Sequence, residues 1–416
     1  MRRRRGIRTG VIVVALTLVT ALTPAGPAQA GTATLGGQTF TTGQSGCTGP
    51  LVGVYGASVL KAFILQAAQD YCNAQLSDGI PPSSAADVEY AAGGDSCRGD
   101  LYAATYTDGN EVGASTVFPD SCGNDGLTYV DPSTVVDTLL GVNVVEEIAT
   151  CPGAIEPNGG AVNPAGTTPC NSFATDPGTG TTSPMSCSPA GLSFDQTNLL
   201  YSQNLGNERQ AGGCTHSNAV QNRVQGAGDR ITFCFNVFGA GQDICKNEGS
   251  ARALAGTILA EIADVCGPTA QDYNYAQGYV SRAAVVADPR SPNTPATALQ
   301  GCGIVTIGGY SGYNGPCDPV DPSTFTPANS ASNPSSGEIT CNGDLDVAIG
   351  RYQIWGYVHL DTNAASSTNG AARAFVAYAQ TQEQSLLQQS GFLLPCQMMV
   401  KRSGDAEPYS TITATC

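Results

Sequence analysis

A strand, a turn of small residues and a helix follow one another directly near the start of the chain. Leu51 to Tyr55 is a short apolar run, and Gly56-Ala57-Ser58 is the turn after it. Apolar residues then recur at the 3.6-residue period of a helix, at Leu60, Phe63, Ile64, Ala67, Ala68, Tyr71 and Cys72. Two more strand-like runs follow, Ala85 to Tyr90 and Glu111 to Ser115, with a short helical stretch from Asp100 to Thr107 between them. Strands that alternate with helices predict an α/β layered fold with parallel strand pairing.

The turns after these three strands are candidate ligand contacts. In open α/β sheets, ligands bind beyond the carboxyl ends of the strands. The residues at those ends are small or polar: Ser58 and Val59 after the first strand, Asp95 and Ser96 after the second, and Thr116 after the third. We therefore expect the three turns to lie close together.

A later stretch repeats the order of strand, small-residue turn and helix. Arg223 is followed by Gly226-Ala227-Gly228, then by Asp229 and Arg230, and then by an apolar run that ends near Phe235. Small residues let backbone N–H groups approach a ligand, and the helix dipole favours negative charge at a helix start. A nearby guanidinium can bind an oxyanion through two parallel hydrogen bonds. The turn resembles the one at Ser58, so we expect the chain to offer two helix N-termini to one ligand.

Residues 1–30 have the organisation of a secretory signal peptide. Arg2 to Arg5 form the basic region with Arg8, Val11 to Leu22 is the apolar core, and Ala28-Gln29-Ala30 is a cleavage-type ending. The nearest cysteine after that ending is Cys47, so no lipid-anchor cysteine stands at the cut. We predict an exported protein, periplasmic or extracellular, that is soluble after signal cleavage and not lipid-anchored.

The charge balance argues against nucleic acid as a partner. The whole chain has a formal net charge of −16, and loss of the five signal-peptide arginines lowers it to −21. Only three lysines then remain, Lys61, Lys246 and Lys401. Nucleic-acid binding needs a basic surface that displaces counterions, and this composition has none. An acidic surface keeps a secreted protein soluble, and an anionic ligand would need a local positive site within it.

All sixteen cysteines follow the signal peptide, from Cys47 to Cys416. An even number in an exported chain predicts up to eight disulfides. The chain has no C-x-x-C pair and only two histidines, His216 and His359, which is a poor basis for a zinc site. No metal and no cofactor are predicted.

Several longer stretches bear on the second part of the fold. Thr134 to Thr150 is apolar with mixed periodicity and is assigned to neither helix nor strand. Cys151 to Cys187 is rich in Pro, Gly, Ser and Thr, which is typical of a loop. Ser250 to Val265 predicts an amphipathic helix, while Gln277 to Val286 and Arg351 to Leu360 predict strands.

One enzyme hypothesis comes from Ser58-Val59-Leu60-Lys61, which matches the S-x-x-K nucleophile motif of serine acyl-enzymes. Helical spacing would bring the lysine amine near the serine hydroxyl, which is what the chemistry requires. A Ser-x-Asn occurs at Ser202 and Asn204, but the Lys-Thr/Ser-Gly element of such enzymes has no match. This reading is kept as a third alternative.

Taken in order, the turns resemble those of type 2 periplasmic binding proteins, specifically the phosphate-binding component of ABC transporters. The matching segments, which cover most of residues 50 to 400, are Gly56-Ala57-Ser58-Val59, Val88-Glu89-Tyr90 with Gly94-Asp95-Ser96, Val112 to Thr116, Arg223 to Asp229, Gly278-Tyr279-Val280, Tyr352 to Leu360, and Gly391 to Pro395. The resemblance implies two α/β lobes, each a mixed sheet flanked by helices, that close over an oxyanion. It implies lobe 1 from residues 31–145 with 345–416, and lobe 2 from residues 146–344 with the Cys-rich insertions.

The resemblance also implies a set of ligand-binding residues. In lobe 1 they are Ser58, Val59, Asp95, Ser96 and Thr116; in lobe 2 they are the Arg223 guanidinium and the turn Gly226, Ala227, Gly228 and Asp229. Three of them depart from the family pattern. Thr116 stands in place of an aspartate that accepts a proton from phosphate, Ala227 in place of a serine, and Asp229 in place of a threonine. An ionised Asp229 would repel an oxyanion by about a kcal/mol or more unless it pairs with Arg230.

The sequence therefore predicts a noncatalytic, disulfide-stapled solute-binding protein that traps a small polar or anionic, phosphate-like ligand between two lobes. An ABC transporter permease is the partner that this resemblance implies. The alternative from another class is a degenerate binding-protein fold that serves as a secreted structural or interaction module.

Overall fold

The computed structural model describes residues 31–91, 93–125, 127–149, 191–192, 194–202, 218–239, 250–252, 275–287, 303–308, 310–312, 314–316, 330–332, 339–366, 370–405 and 407–413. The predicted signal peptide and the predicted loop Cys151 to Cys187 lie outside these residues.

The described strands, in chain order, are β1 Gly31–Leu35, β2 Gln38–Thr42, β3 Leu51–Gly56, β4 Asp87–Ala91, β5 Glu111–Ser115, β6 Val135–Ala149, β7 Gly191–Leu192, β8 Asn218–Arg223, β9 Ser250–Arg252, β10 Tyr275–Ser281, β11 Gly303–Ile307, β12 Asn314–Pro316, β13 Ser330–Ser332, β14 Ile339–Asn342, β15 Trp355–Asn363, β16 Val400–Lys401 and β17 Ser410–Thr411. The α-helices are α1 Lys61–Ser77, α2 Ser96–Thr105, α3 Phe194–Ser202, α4 Gly228–Phe238, α5 Arg282–Ala287, α6 Gly343–Ala348, α7 Gly370–Gln382 and α8 Gln384–Gln389. Short 3-10 helices occur at Ser58–Leu60, Pro119–Asp125, Pro132–Thr134 and Pro395–Gln397.

The main sheet consists of two half-sheets with the same strand order. Its order is β4-β3-β5-β15-β6-β10-β8-β9, with β11 paired to β6 and β7 paired to β11. In the first half-sheet, β3 pairs in parallel with β4 and with β5. In the second half-sheet, β8 pairs in parallel with β10 and with β9. Each half therefore places its first strand between its second and third. The antiparallel strands β15 and β6 pair with each other and join the halves.

Each half-sheet has an apolar core of its own. The first core joins α1 and α7 to the first half-sheet, with Val52, Phe63, Ile64, Leu360 and Phe375 among its buried members. The second core joins α3 and α4 to the second half-sheet, with Val144, Tyr201, Phe233, Tyr279 and Trp355 among its buried members. Two parallel units with separate cores form the two-lobed α/β fold, so the fold class predicted from the sequence is confirmed.

Disulfides hold the first half together, as the cysteine content predicts. Cys47 is bonded to Cys72 and Cys97 to Cys122, and each bridge spans 25 residues of sequence. The cysteines that the structure describes include no free thiol. No helix in the described part of the chain combines the length and the hydropathy that a membrane-spanning segment needs.

Two element predictions in the second half were wrong where the structure describes them, and residues 253–265 of the helix predicted from Ser250 to Val265 lie outside the described residues. Residues Ser250–Arg252 form β9 and not the start of a helix, because they pair with the β8 segment Gln221–Arg223. The predicted strand from Gln277 to Val286 ends at Ser281, and α5 follows at once. The Ser281 hydroxyl accepts a hydrogen bond from the Ala283 N–H at 3.3 Å, which is the capping contact that starts a helix.

Candidate functional site

One face of the candidate site is formed by the first half-sheet at the N-terminus of α2. Asp95 caps this helix, since its carboxylate accepts the Arg98 N–H at 2.9 Å. The Ser96 and Thr116 hydroxyls lie 3.1 Å apart, and the Thr116 N–H donates to the Ser96 Oγ at 3.1 Å. Both side chains are buried. The end of β5 and the start of α2, which follows β4, thus bring two hydroxyl groups together at the same edge of one parallel half-sheet.

The opposite face is the start of α4 in the second half-sheet. Strand β8 ends at Arg223, and the turn Gly226-Ala227 leads into Gly228, the first residue of an 11-residue helix. Ala227 has extended backbone angles and no side-chain cap is present, so the first N–H groups of α4 have no capping side chain. Such a helix start carries partial positive charge and is suited to an anion.

The two faces are in direct contact. An ideal Cβ on Gly228 would lie 1.8 Å from the Thr116 Oγ1 and 2.5 Å from the Ser96 Oγ, so the helix start is packed onto both hydroxyls. The Cys97 N–H donates to the Gly226 carbonyl at 3.2 Å, which is a hydrogen bond between the halves. An ion can enter between these faces only if the halves move apart.

Arg223 and Asp229 form an ion pair at this contact. The Arg223 Nε lies 3.1 Å from the Asp229 Oδ2, and each side chain is only 3% exposed. The same carboxylate oxygen accepts the Ser281 N–H at 3.4 Å, while Arg230 donates to the Arg223 carbonyl at 3.1 Å. Asp229 is therefore paired with Arg223. It neutralises the guanidinium that the sequence analysis predicts as a contact of the ligand.

Ser58 and Val59 lie at a second contact between the halves. They belong to the 3-10 helix Ser58–Leu60 and are partly exposed. The preceding Ala57 donates its N–H to the Ala114 carbonyl at 2.7 Å and shares an apolar cluster with Ala283 of α5. The structure thus places Ser58 and Val59 beside α5, and it groups the other predicted residues, from Asp95 to Asp229, at the start of α4.

The Ser58-x-x-Lys61 motif does not have the geometry of a serine nucleophile. Lys61 is exposed at the first turn of α1, and its backbone N–H donates to the Ser58 carbonyl. Among the hydrogen bonds of the described residues, none joins the Lys61 amine to the Ser58 hydroxyl.

Three residues near the site were not predicted. Ser281 contacts Asp229 through its N–H, and its hydroxyl donates to the Asn143 side-chain oxygen. Arg282 is buried and donates to the Gly391 carbonyl at 2.8 Å and to the Gly312 carbonyl at 2.7 Å. A Ser followed by the helix-forming run Arg-Ala-Ala was the signal for Ser281, and nothing local in the sequence marks Asn143.

Buried carboxyl groups lie directly behind the Thr116 turn. The Ser115 hydroxyl donates to Asp100 at 3.1 Å. Burial raises the pKa of Asp100 and of Asp361 well above their usual range, and the two carboxyls contact each other. Within the described residues, no cluster of His, Cys, Asp and Glu has the arrangement of a metal site.

Comparison with known proteins finds similarity in fold only. No protein-family model matches the sequence, and no curated protein matches it. An ABC transporter substrate-binding protein from Clostridium perfringens with bound phosphate is 12% identical, with coverage of 83% of this chain and 99% of that chain and a TM-score of 0.48. An ABC-type phosphate transport receptor from Vibrio cholerae is 11% identical, with coverage of 83% and 100% and a TM-score of 0.46.

A second group of similar structures consists of regulatory domains. The reduced regulatory domain of OxyR2 from Vibrio vulnificus is 7% identical, with coverage of 80% of this chain and 96% of that chain and a TM-score of 0.38. At these sequence identities and TM-scores, the ligands of the similar structures give no evidence about a ligand of this chain. Its own residues must carry any functional assignment.

Proposed function

We propose that this protein is a noncatalytic solute-binding protein whose ligand is a small, phosphate-like oxyanion held between the two lobes. The observation that carries this proposal is the packing of the uncapped start of α4 onto the Ser96 and Thr116 hydroxyls, with the buried Arg223 guanidinium paired to Asp229 in the first turn of that helix. All of these groups are hydrogen-bond donors or can act as donors. Their convergence on one place is the chemistry that an oxyanion requires.

In the proposed complex, the helix start supplies the Gly228 and Asp229 backbone N–H groups, and Ser96 and Thr116 supply two hydroxyls. Arg223 turns from Asp229 to the ligand. The exchange keeps an anion on the buried guanidinium but takes the cation away from the buried Asp229 carboxylate, which costs free energy. A ligand therefore binds only if its interaction with the site is stronger than the interaction between Asp229 and Arg223.

Entry of the ligand requires the lobes to separate. We assign residues 31–145 with 345–416 to lobe 1 and residues 146–344 to lobe 2. The antiparallel strands β6 and β15 are the described connection between the half-sheets, and a bend in these strands would open the Gly228 contact. The register shift in their pairing at Val358/His359 is the position where we expect that bend.

The residue types at the site favour a fully ionised oxyanion. The Thr116 hydroxyl can donate or accept a hydrogen bond, and it lacks the negative charge with which a carboxylate selects a protonated ligand and repels a fully ionised one. We therefore expect phosphate and sulfate to bind with affinities within about tenfold of each other, a difference of about 1.4 kcal/mol.

Titration calorimetry with inorganic phosphate and with sulfate tests the proposal. Wild-type protein is expected to give a saturable, one-site heat that Arg223→Met abolishes. Arg351→Met is the matched control, because this arginine pairs with Asp346 outside the site and its loss should leave binding unchanged. A wild-type protein that binds neither anion, or an Arg223→Met variant that binds as well as wild type, would overturn the proposal.

The second candidate function is a secreted structural or interaction module that binds no solute. The Arg223–Asp229 ion pair and the packing of Gly228 onto Ser96 and Thr116 favour it, since these contacts fill the place of a ligand with the protein's own groups. This reading expects no oxyanion binding by wild-type protein or by an Asp229→Asn variant.

Together with the solute-binding function, we propose that the protein is exported and that it has a transporter partner. The two disulfides of the first half suit an oxidising compartment outside the cytoplasm. An ABC transporter permease would be the partner of a solute-binding protein of this kind.

A further inference from the structure

The Cys97–Cys122 disulfide occupies a different environment from the Cys47–Cys72 disulfide. Both pairs are buried, both lie in the first half of the chain, and both span 25 residues. The Cys47–Cys72 pair packs with Ala85 and Leu76, which belong to the same half. The Cys97–Cys122 pair instead belongs to a buried apolar cluster with Val117 and with Ile231 of the second half.

This cluster lies at the contact between the halves. Ile231 is in the first turn of α4, three residues after Gly228, and Phe235 one turn later packs against the same cluster. Cys97 itself follows Ser96 directly, and its N–H donates to the Gly226 carbonyl across the contact. The disulfide therefore contacts the same helix whose N-terminus forms the proposed anion site.

The disulfide also connects two segments on its own side. Cys97 belongs to the first turn of α2, and Cys122 belongs to the 3-10 helix Pro119–Asp125 that follows the Thr116 turn. The bond fixes the α2 start, which carries Ser96, relative to the segment just after Thr116. A covalent link at this point limits how far the two hydroxyls can separate when the lobes open.

We propose that the Cys97–Cys122 disulfide is a positioning element of the anion site: it holds Ser96 and Thr116 together and presents an apolar surface on which α4 seats when the lobes close. Its sulfur atoms and Val117 form one side of this contact, and Ile231 with Phe235 forms the other. The inference rests on the proposed function for its ligand, an oxyanion such as phosphate. The seating of α4 can be measured without any ligand.

The test compares two double variants, Cys97→Ala with Cys122→Ala and, as the matched control, Cys47→Ala with Cys72→Ala. Because both bridges close loops of equal length, both variants should lose a similar amount of thermal stability. Hydrogen–deuterium exchange of the peptide that covers α4 is the first readout. The Cys97/Cys122 variant should exchange about tenfold faster in the Gly228–Phe238 helix, which neither bond crosslinks, and the control should match wild type there.

Phosphate affinity measured by calorimetry well below the melting temperature is the second readout. If loss of the bond reduces the closed population to about one tenth, the apparent Kd rises about tenfold, and the control should stay within about twofold of wild type. An absence of phosphate binding in all proteins would overturn the proposed function alone, because the exchange readout would still decide whether the disulfide seats α4.

A second pair of variants keeps every disulfide intact. Ile231→Ala removes the α4 side of the contact, whereas Val237→Ala removes a side chain of the same helix that faces the core of its own half. Ile231→Ala should reproduce the weaker phosphate binding, and Val237→Ala should not. Equal exchange of α4 in the two cysteine double variants would overturn the inference, and so would equal phosphate affinities of Ile231→Ala and Val237→Ala when the wild type binds phosphate.

Discussion

The chain uses a Gly-Ala turn twice at equivalent places in its two half-sheets. Gly56-Ala57-Ser58 follows β3 and Gly226-Ala227-Gly228 follows β8, and each strand is the first of its half. The backbone angles of the two alanines are nearly equal, φ −55° and ψ 115° for Ala57 and φ −68° and ψ 128° for Ala227. Each turn also meets the other half near the end of its third parallel strand. The Ser58 turn lies beside α5, and the Gly228 turn lies on Thr116.

What differs is the chemistry opposite each turn. At the Ser58 turn, the nearby arginine is Arg282, which is fixed by the carbonyls of Gly312 and Gly391 and by Asp344. At the Gly228 turn, Arg223 faces a carboxylate of its own helix start, and two hydroxyls lie opposite. Similar alanine conformations therefore do not make equal sites. The groups opposite each turn differ, and under the proposed function only Arg223 exchanges its partner for a ligand.

The largest change in the free energy of unfolding is expected from Arg223→Met at the Gly228 turn. This change leaves the Asp229 carboxylate buried without its cation, which costs about 3 to 5 kcal/mol. Arg98→Met is the matched change at an exposed ion pair, where Arg98 is 64% exposed and lies 3.3 Å from Asp95. Loss of an exposed pair costs less than about 1 kcal/mol.

Urea unfolding of both variants measures this difference in the free energy of unfolding. The double variant Arg223→Met with Asp229→Leu should regain most of the lost stability, because no buried charge remains. If Arg223→Met and Arg98→Met cost the same, the buried pair is not a stabilising contact and the comparison fails.

A pH-dependent stability is expected from Glu146, which lies beside Arg282. Its carboxylate accepts the Gly312 N–H at 3.3 Å, and burial raises its pKa to about 7, although the nearby Arg282 acts in the opposite direction. The folded protein thus binds this proton more tightly than the unfolded chain, whose Glu has the ordinary pKa of about 4.5. The contribution to stability is full below that ordinary value and is lost as pH rises through about 7.

At about 1.4 kcal/mol per pKa unit, Glu146 alone accounts for a fall of about 3 kcal/mol in the free energy of unfolding between pH 4.5 and pH 7. Glu146→Gln keeps the shape and removes the titration. Urea unfolding at a series of pH values should therefore give a flatter profile for the variant over this interval. Parallel profiles for the variant and the wild type would show that this carboxyl is ionised in the folded protein.

A smaller effect on the free energy of unfolding is expected from placing alanine at the third position of each turn. Gly228→Ala places a Cβ within 2.5 Å of both opposing hydroxyls, so the halves must shift, at a cost of about 1 to 3 kcal/mol. Ser58 already has a Cβ, so Ser58→Ala should change the free energy of unfolding by less than about 0.5 kcal/mol. Phosphate binding should weaken in Gly228→Ala, and calorimetry checks this. A Gly228→Ala variant as stable as Ser58→Ala would mean that the two faces are not packed together.

The layered fold was predictable because its signals are local. The face of α1 is buried at Phe63, Ile64, Ala67, Ala68 and Cys72, as its periodicity predicts. Strand β6 was not assigned, because it is 15 residues long, partly exposed at residues 136–139 and buried on both faces from residue 140 to residue 148, so neither period dominates. It also contains two adjacent buried carboxylates. The Glu147 carboxylate accepts a hydrogen bond of 2.7 Å from the hydroxyl of Tyr201, which belongs to another element.

The proximity of Ser96 and Thr116 was predictable, because they follow strands of one parallel half-sheet whose carboxyl ends meet at one edge. Gly228 belongs to the other half-sheet, and its contact with both hydroxyls follows from the packing of the two halves. The sequence left Asp229 open to a pairing with its neighbour Arg230, and the structure pairs it with Arg223. That choice depends on how the turn folds back on β8, and no local pattern encodes it.

The most direct test of the central claim, that Asp229 holds the place of an anion on Arg223, is the phosphate affinity of Asp229→Asn. Without the carboxylate, the buried guanidinium lacks its anion, so phosphate should bind about 10 to 100 times more tightly than to wild type, which corresponds to about 1.4 to 2.7 kcal/mol. Phosphate should also raise the melting temperature of the variant more than that of the wild type. Equal affinities for phosphate in the two proteins, or no binding by either, would contradict the claim.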